Sequence, residues 1–420
     1  MTVLGLIALV FALLVFRQNI ILILLTAAAY VHLVWGDGQV VYLLEDMWDA
    51  MDTEVLLAIP MFLIAGSIMT RGSIAERLIN IVRSMTEWIP GGMGIATILS
   101  CAIFAAISGS SSVTLLAVGA ILYPALLEAG YPKRFALGSL TSAGTLGIII
   151  PPSIPLIIYG IVTETSIADL FLAGIIPGIL LTFALAGYSF WTNRKLPAVP
   201  FERTKFTAAL RKGVWSMMLP VVLLGGIYSG YFSPTEAAAV AMGYALFVEV
   251  FIHRELRIIE FFDIAKHTAQ MLGTLFPIIA VALSLKALLA VEGVPQDFAQ
   301  WLQSVVSSKI AYLIAVNIAL IIIGCLIDVI SAILLLGPLL YAGAMAYGIH
   351  PVHFGIIMVI NLEIGFLTPP IGLNLIVAMT AFKENFIEIC KSVVPFMLIM
   401  IGVLGLVTFF PEISMFLVED

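Results

Sequence analysis

The sequence predicts an all-α polytopic membrane protein with two inverted-topology repeats, each containing a re-entrant helical hairpin and a broken helix. Three observations predict this fold. Of the 420 residues, 62% are hydrophobic and only 11% are charged; the charges alternate in sign between apolar stretches; and motifs recur 218 residues apart. Soluble domains carry about 25% charged residues. The composition therefore excludes a soluble enzyme, a nucleic-acid-binding protein and a disordered chain, and it places the chain in a lipid bilayer.

Apolar stretches of about 20 residues predict the spanning helices. They cover residues 2–16, 19–36, 54–70, 134–162, 170–191, 213–231, 234–252, 271–291, 351–380 and 392–411. Two more apolar stretches, 91–127 and 309–346, are interrupted at their centres. Amphipathic segments occupy residues 39–50, 72–88, 256–269 and 293–307. Of these, 72–88 and 293–307 are expected to lie along the two membrane faces.

The charged loops predict the orientation, because basic residues favour the cytoplasmic side. Segment 193–212 has six basic residues and one acid, so it is expected inside, as is Arg17. Segment 37–54 begins with Asp37, has six acids and no base, and is expected outside. This alternation holds only if 91–127 enters and returns on the inner side and 309–346 on the outer side. Both are therefore predicted to be re-entrant hairpins, of opposite orientation.

The two halves of the chain repeat at one offset. The segment Gly147-Ile-Ile-Ile-Pro-Pro152 aligns with Gly365-Phe-Leu-Thr-Pro-Pro370, Pro177 aligns with Pro395, and the hairpin interruptions align as well. An offset that carries an inner segment onto an outer one indicates an inverted repeat. Many secondary transporters have this architecture, with the binding site near the bilayer midplane at broken helices.

The tip of the first hairpin is polar, although the hairpin is otherwise apolar. It contains Ser108, Ser110, Ser111, Ser112 and Thr114. Non-helical backbone at membrane depth is tolerated only where it is buried in protein or lines a watery cavity. Hydroxyl and carbonyl oxygens suit Na⁺, and the N–H groups that begin the second arm suit an anion. The alternative is helix packing by small residues with an N-cap.

The tip of the second hairpin and the two broken helices supply the other candidates. Asp328 is a carboxylate inside a membrane segment, which favours a functional role, although it also suits a cap for the returning arm. The double prolines remove N–H donors and so free carbonyl oxygens for a cation; a kinked helix without a ligand is the alternative. Asn361 and Asn374 are expected either to line the cavity or to join helices.

Two further motifs are interpreted as structural. Ser233-Pro-Thr-Glu236 has the spacing of a capping box at the start of a helix. His350 and His353 have no convincing metal spacing and are expected to face solvent.

Four stretches resemble the large membrane subunit of TRAP (tripartite ATP-independent periplasmic) transporters: residues 108–112, 144–152, 233–239 and 361–374. The resemblance implies an elevator mechanism, in which a transport domain carries substrate and Na⁺ past a fixed scaffold. One implied Na⁺ site uses Ser108 and Ser111 with carbonyls of Gly147 and Ile150, and the other uses Gly324, Gly365 and Thr368. The candidate substrate ligands are Ser110, Ser112, Asp328, Asn361 and Asn374.

The resemblance also implies a division of the chain. Residues 1–90 form scaffold helices and a cytoplasmic-side arm, and 91–192 form the first half of the transport domain. Residues 193–308 form a cytoplasmic loop, further scaffold helices and an outer arm, and 309–420 form the second half.

The expected function is Na⁺-coupled uptake of a small organic acid across the bacterial inner membrane. The implied partners are a periplasmic substrate-binding protein and a small membrane subunit, expected as a separate chain because no extra helices occur at either end. The alternatives are a single-component Na⁺/dicarboxylate-type elevator symporter, an intramembrane serine enzyme and a passive channel.

Overall fold

A computed structural model describes residues 2–16, 18, 20–35 and 41–418, and within these ranges every regular element is a helix. Arg17 and Asp37, used above for orientation, lie outside the described residues. The helices are α1 Thr2–Val15, α2 Ile20–Val34, α3 Val41–Met51, α4 Ala58–Arg71, α5 Ile74–Thr86, α6 Gly92–Ser108, α7 Ser111–Glu128, α8 Lys133–Ala143, α9 Leu146–Ile149, α10 Ile154–Thr163, α11 Ile167–Asn193, α12 Arg203–Tyr228, α13 Pro234–Phe247, α14 Ile258–Val291, α15 Val294–Val305, α16 Lys309–Gly324, α17 Val329–Ala346, α18 Pro351–Gly365, α19 Leu373–Phe382, α20 Phe386–Phe409 and α21 Glu412–Met415. A 3₁₀ turn (Glu54–Leu57) precedes α4, and a π-helical turn (Val248–His253) follows α13.

The helices have the dimensions of a multi-pass membrane protein. In the part of the chain that the structure describes, nine helical stretches are long and apolar enough to cross a bilayer. In an apolar 18-residue window of Lys133–Thr163, 89% is buried inside the protein, whereas in such a window of Ile258–Val291 only 28% is buried. The broken helix is therefore enclosed by protein, and α14 presents much of its surface to the surroundings. The predicted all-α polytopic membrane architecture is confirmed.

Both interrupted stretches form pairs of helices joined by a short tip. Helices α6 and α7 meet at Gly109 and Ser110, where Gly109 has a φ of +61°, a conformation that favours glycine. Helices α16 and α17 meet at residues 325–328, and α15 is bent away from α16 by 112°. The first tip (residues 108–112) and the second tip (residues 324–328) are called tip 1 and tip 2 below.

The double prolines interrupt two helices, as predicted. The chain leaves helical geometry between α9 and α10 at Pro151-Pro152, and between α18 and α19 at Pro369-Pro370; both Pro-Pro peptide bonds are cis. Ser153 restarts the first of these helices, because its hydroxyl accepts a hydrogen bond from the N–H of Leu156. These breaks place non-helical backbone beside the two tips.

Two sequence expectations are wrong. Segment 256–269 is not a separate amphipathic piece but the first half of the 34-residue helix α14, since nothing in it interrupts helical hydrogen bonding before Pro277. His353 does not face solvent: it is 1% exposed, and its Nδ1 lies 2.6 Å from the hydroxyl of Ser414. Only its neighbour His350 is exposed, where it caps α18.

Two acids fix helix starts outside the tips. The capping box is confirmed: Glu236 and Ser233 exchange hydrogen bonds at the start of α13. Glu249, fully buried in the π-helical turn, accepts hydrogen bonds from the backbone N–H groups of Ser73 (2.7 Å) and Ile74 (2.6 Å). This carboxylate ties the start of the amphipathic helix α5 to the end of the α13 segment.

Candidate functional site

One cavity of about 840 Å³ brings the tips together. Tip 1 contributes Gly109 and Ser110–Ser112, and tip 2 contributes Asp328. Helices α4 and α14 form the rest of the wall, and Gly66 of α4 packs against Ser108 of tip 1. The predicted substrate ligands Ser110, Ser112 and Asp328 all lie on its wall.

Four helices begin at this cavity. Their first residues, Ser111 of α7, Ile154 of α10, Val329 of α17 and Leu373 of α19, all line it. The first turn of a helix presents N–H groups without helical partners and the positive end of the helix dipole. Side chains cap α10 and α17, but none caps α7 or α19. The cavity therefore offers N–H donors to an anion at two uncapped helix starts.

Tip 1 is held by its own hydroxyl groups. The Ser108 hydroxyl shares a 2.7 Å hydrogen bond with that of Thr114, and the Ser111 hydroxyl donates to the side-chain oxygen of Asn374 at 3.2 Å. Ser108 and Ser111 are 1% and 3% exposed. Their oxygens lie inside protein, where water does not compete for a bound ion.

The first broken helix packs directly on tip 1. A Cβ added to Gly147 would lie 2.5 Å from the carbonyl oxygen of Ser110, and the N–H of Ile154 donates to the carbonyl of Gly109 at 3.3 Å. Pro151, four residues after Gly147, has no N–H, so the Gly147 carbonyl lacks its helical donor. Gly147 thus packs against two uncharged hard oxygens, the Ser110 carbonyl and the Thr114 hydroxyl, which are of the kind that suits Na⁺.

The second broken helix packs on tip 2 in the same way. A Cβ on Gly365 would lie 2.6 Å from the Cα of Gly324, and the N–H of Gly372 donates to the carbonyl of Cys325 at 3.4 Å. Ile154 and Gly372 occupy equivalent positions in the two halves. The Thr368 hydroxyl, half-buried beside this contact, donates to the carbonyl of Ile364 at 2.9 Å. Gly365 therefore touches Gly324 and accepts a hydrogen bond from the N–H of Thr368 at 2.9 Å, while the Thr368 hydroxyl lies 3.5 Å from the sulfur of Met397.

Asp328 is both a helix cap and a carboxylate on the cavity wall. Its carboxylate accepts hydrogen bonds from the N–H (2.9 Å) and hydroxyl (2.6 Å) of Ser331, which makes it the N-cap of α17. It also lines the cavity and is exposed there. Its negative charge offsets the dipole of α17, so the anion-binding capacity of the cavity lies mainly on the side of tip 1.

The two asparagines lie behind the cavity wall. Asn361 is fully buried and donates to the backbone (3.0 Å) and side chain (2.6 Å) of Asn317 on α16. Asn374, also fully buried, accepts from Ser111 and donates to Glu363. Neither lines the cavity, and both join helices instead.

Sequence reasoning missed the wall opposite tip 1. Ser67, Thr70 and Arg71 of α4 and Asp263 and His267 of α14 line the cavity. Nothing in the sequence marks Arg71 as a cavity residue, and His267 falls in segment 256–269, which the sequence pattern separates from α14. A prediction of α14 as one continuous helix also predicts that its polar first half lies close to the spanning helices.

Known proteins resemble this chain over most of its length. Residues 7–413 match the family model described as "Tripartite ATP-independent periplasmic transporter, DctM component". The C4-dicarboxylate TRAP transporter large permease protein DctM of Pseudomonas aeruginosa is 40% identical over 93% of this chain and 92% of its own length. The sialic acid TRAP transporter large permease protein SiaM of Vibrio cholerae is 34% identical over 89% of this chain and 88% of its own length.

Another relative is longer than this chain. The isethionate TRAP transporter permease protein DctMQ of Oleidesulfovibrio alaskensis is 39% identical over 91% of this chain, but the match spans only 61% of that protein.

A solved structure shares the fold. The YdaH transporter of Alcanivorax borkumensis superposes with a TM-score of 0.69 at 14% identity, covering 90% of each chain. The family matched by residues 7–413 consists of transporter components, which excludes the alternative of an intramembrane serine enzyme. The chain belongs to the DctM family, the large permease subunits of tripartite ATP-independent periplasmic transporters.

Proposed function

We propose that the chain takes up a small organic acid across the bacterial inner membrane in symport with Na⁺, by an elevator mechanism. The observation that carries this proposal is the convergence of four helix starts on one cavity. The N–H groups at the uncapped starts of α7 and α19, with the hydroxyls of Ser110 and Ser112, bind the carboxylate of the substrate. Arg71 of α4 is the one arginine or lysine among the described residues that line the cavity, and it supplies positive charge there.

Two oxygen clusters support Na⁺ coupling. We assign the first to Ser108, Ser111 and the carbonyls of Gly147 and Ile150, and the second to the contact where Gly324 meets Gly365. Each places a tip against the break of a helix in its own half of the chain. A tenfold Na⁺ gradient provides about 1.4 kcal/mol per ion, and each net charge moved through 100 mV adds about 2.3 kcal/mol. Two ions therefore suffice to concentrate an acid more than a hundredfold.

The make-up of the cavity wall supports the elevator mechanism. One side consists of the tips and the broken helices, which contact each other closely through glycines. The other side consists of α4 and α14, which belong to the predicted scaffold. The tips and broken helices move as one body, carrying the substrate along a wall that stays in place.

The relatives support the substrate class. Their names specify C4-dicarboxylates, sialic acid and isethionate. These compounds share an acidic group and differ in the rest of the molecule. A site made of helix N-termini and serine hydroxyls meets the shared group, and we infer that a periplasmic binding protein selects the remainder. A small membrane subunit completes the transporter.

Uptake into proteoliposomes tests this function. The chain is reconstituted with its small partner, and radiolabelled succinate and sialic acid are supplied with or without a Na⁺ gradient and the binding protein. Uptake that requires both supports the proposal. Na⁺-driven uptake without a binding protein would assign the chain to single-component symporters, and uptake indifferent to Na⁺ would refute the ion sites. Ser111→Ala is expected to raise the Na⁺ concentration for half-maximal uptake, and Ser100→Ala, a buried serine elsewhere in α6, serves as its control.

A further inference from the structure

Glu363 is a fully buried acid that the proposed transport steps do not use. It lies on α18, two residues before Gly365. One carboxyl oxygen accepts a hydrogen bond from the side-chain amide of Asn374 at 3.0 Å. The other oxygen has no hydrogen-bond partner among the described residues. Buried polar groups are rarely left half-satisfied in this way.

Glu363 and Asn374 join the two candidate ion sites. The hydroxyl of Ser111, a ligand of the first site, donates to Asn374, and the amide of Asn374 donates to Glu363. Glu363 stands in the same helical turn as Gly365, which belongs to the second site. A continuous chain of hydrogen bonds thus runs from tip 1 through α19 to the turn of α18 that touches tip 2.

Glu363 has no charged partner that would compete with the bridge. None of the ion pairs found in the described part of the chain includes it. Its recorded side-chain hydrogen bond is the one from Asn374. The carboxyl group therefore fixes the direction of the Asn374 amide.

We propose that Glu363 and Asn374 couple Na⁺ binding at the two candidate ion sites. An ion bound to the Ser111 oxygen orients its hydroxyl toward Asn374, which holds Glu363 and the turn that carries Gly365. Occupation of either site thereby orders the other, and a coupling of this kind is reciprocal. Both residues are positioning residues, because neither lines the cavity. The inference rests on the proposed Na⁺ coupling.

Na⁺-dependent thermal stabilisation of the purified full-length chain tests the bridge without requiring the substrate. The unfolding midpoint is titrated with NaCl at constant ionic strength, with KCl as the balancing salt. For the wild type we expect a sigmoidal Na⁺ dependence with a Hill coefficient near 2. Glu363→Gln retains it, because glutamine keeps an oxygen that can accept the hydrogen bond from Asn374. Glu363→Ala lowers the coefficient to about 1 and raises the midpoint Na⁺ concentration about tenfold.

Controls separate coupling from folding. The unfolding midpoint in KCl alone reports whether each variant folds, and Ser216→Ala removes a fully buried hydroxyl of α12 and should leave the titration unchanged. Should Glu363→Ala not fold, Asn374→Ser carries the same expectation. A cooperative Na⁺ response in Glu363→Ala or Asn374→Ser overturns the bridge alone, as does a loss of cooperativity in Glu363→Gln. A wild type that responds equally to Na⁺ and K⁺ overturns both the bridge and the proposed function.

Discussion

Replacing Gly365 by alanine probes the contact between tip 2 and the second broken helix. The added Cβ would lie 2.6 Å from both the Cα and the carbonyl carbon of Gly324, and 3.1 Å from the nitrogen of Cys325. Carbon atoms in contact are normally about 3.5–4.0 Å apart, so the two segments must separate by about 1 Å. Every obstructing atom belongs to the backbone, and no side chain can rotate away. We therefore expect a loss of about 1–3 kcal/mol, the usual cost of overpacking.

The same displacement moves the proposed second Na⁺ site apart. We expect Gly365→Ala to raise the Na⁺ concentration for half-maximal uptake at least tenfold in proteoliposomes, and to lower the unfolding temperature in detergent. Gly402→Ala on α20 is the matched control, because a Cβ there meets no atom within 4 Å. In that helix alanine is expected to be neutral or to stabilise by up to about 1 kcal/mol.

Wild-type Na⁺ dependence and stability in Gly365→Ala would refute this reasoning. It would mean that the tip and the broken helix tolerate separation and that the ion site lies elsewhere. A stability loss with unchanged Na⁺ dependence would keep the packing argument but remove Gly365 from the ion site.

Three further outcomes follow from the structure. Glu249→Ala leaves the N–H groups of Ser73 and Ile74 at the start of α5 without their acceptor. Each lost hydrogen bond is expected to lower the free energy of unfolding by about 1–3 kcal/mol, which thermal unfolding measures against the wild type. Ser153→Ala removes the buried cap of α10 and is expected to cost about 1–2 kcal/mol; an unchanged unfolding temperature would contradict the capping role. The ammonium group of Lys133, 2.6 Å from Glu384, holds the pKa of that carboxyl below its usual range. The pair therefore stabilises the fold above the ordinary pKa of glutamate and loses this contribution as the pH falls through the lowered value. In a pH series of unfolding temperatures Lys133→Met should reduce this loss, and the hydroxyl of Tyr123, which also donates to Glu384 at 2.9 Å, should retain part of it.

The sequence predicted the breaks because their causes are local. A double proline deletes two N–H groups wherever it stands, so Pro151 and Pro369 interrupt their helices irrespective of the neighbours. The hairpins were predicted from the alternating charge of successive loops, which can also be read from the sequence alone. The capping box at Ser233 was readable for the same reason.

Contacts between distant residues were not predictable. The hydrogen bond between Ser111 and Asn374 joins residues 263 positions apart, and it depends on how α7 and α19 pack. A polar residue near a break is compatible with either a cavity wall or a helix contact, and packing alone placed Asn361 against Asn317. The amphipathic pattern of 256–269 gave no sign that the helix continues, because a membrane-surface helix and the polar end of a long span share that pattern.

Under the proposed elevator mechanism, the composition of the cavity wall limits the length of the cargo. An acid that contacts the serines of tip 1 alone would leave with the moving body, whereas a molecule that also reaches Arg71 of α4 and His267 of α14 would join the two bodies together. Such a molecule would bind more tightly and be transported more slowly, so it would act as an inhibitor. A diacid with a spacer long enough to pair one end with tip 1 and the other with Arg71 is therefore the starting point for an inhibitor, and the length at which uptake turns into blockade measures the distance between the walls.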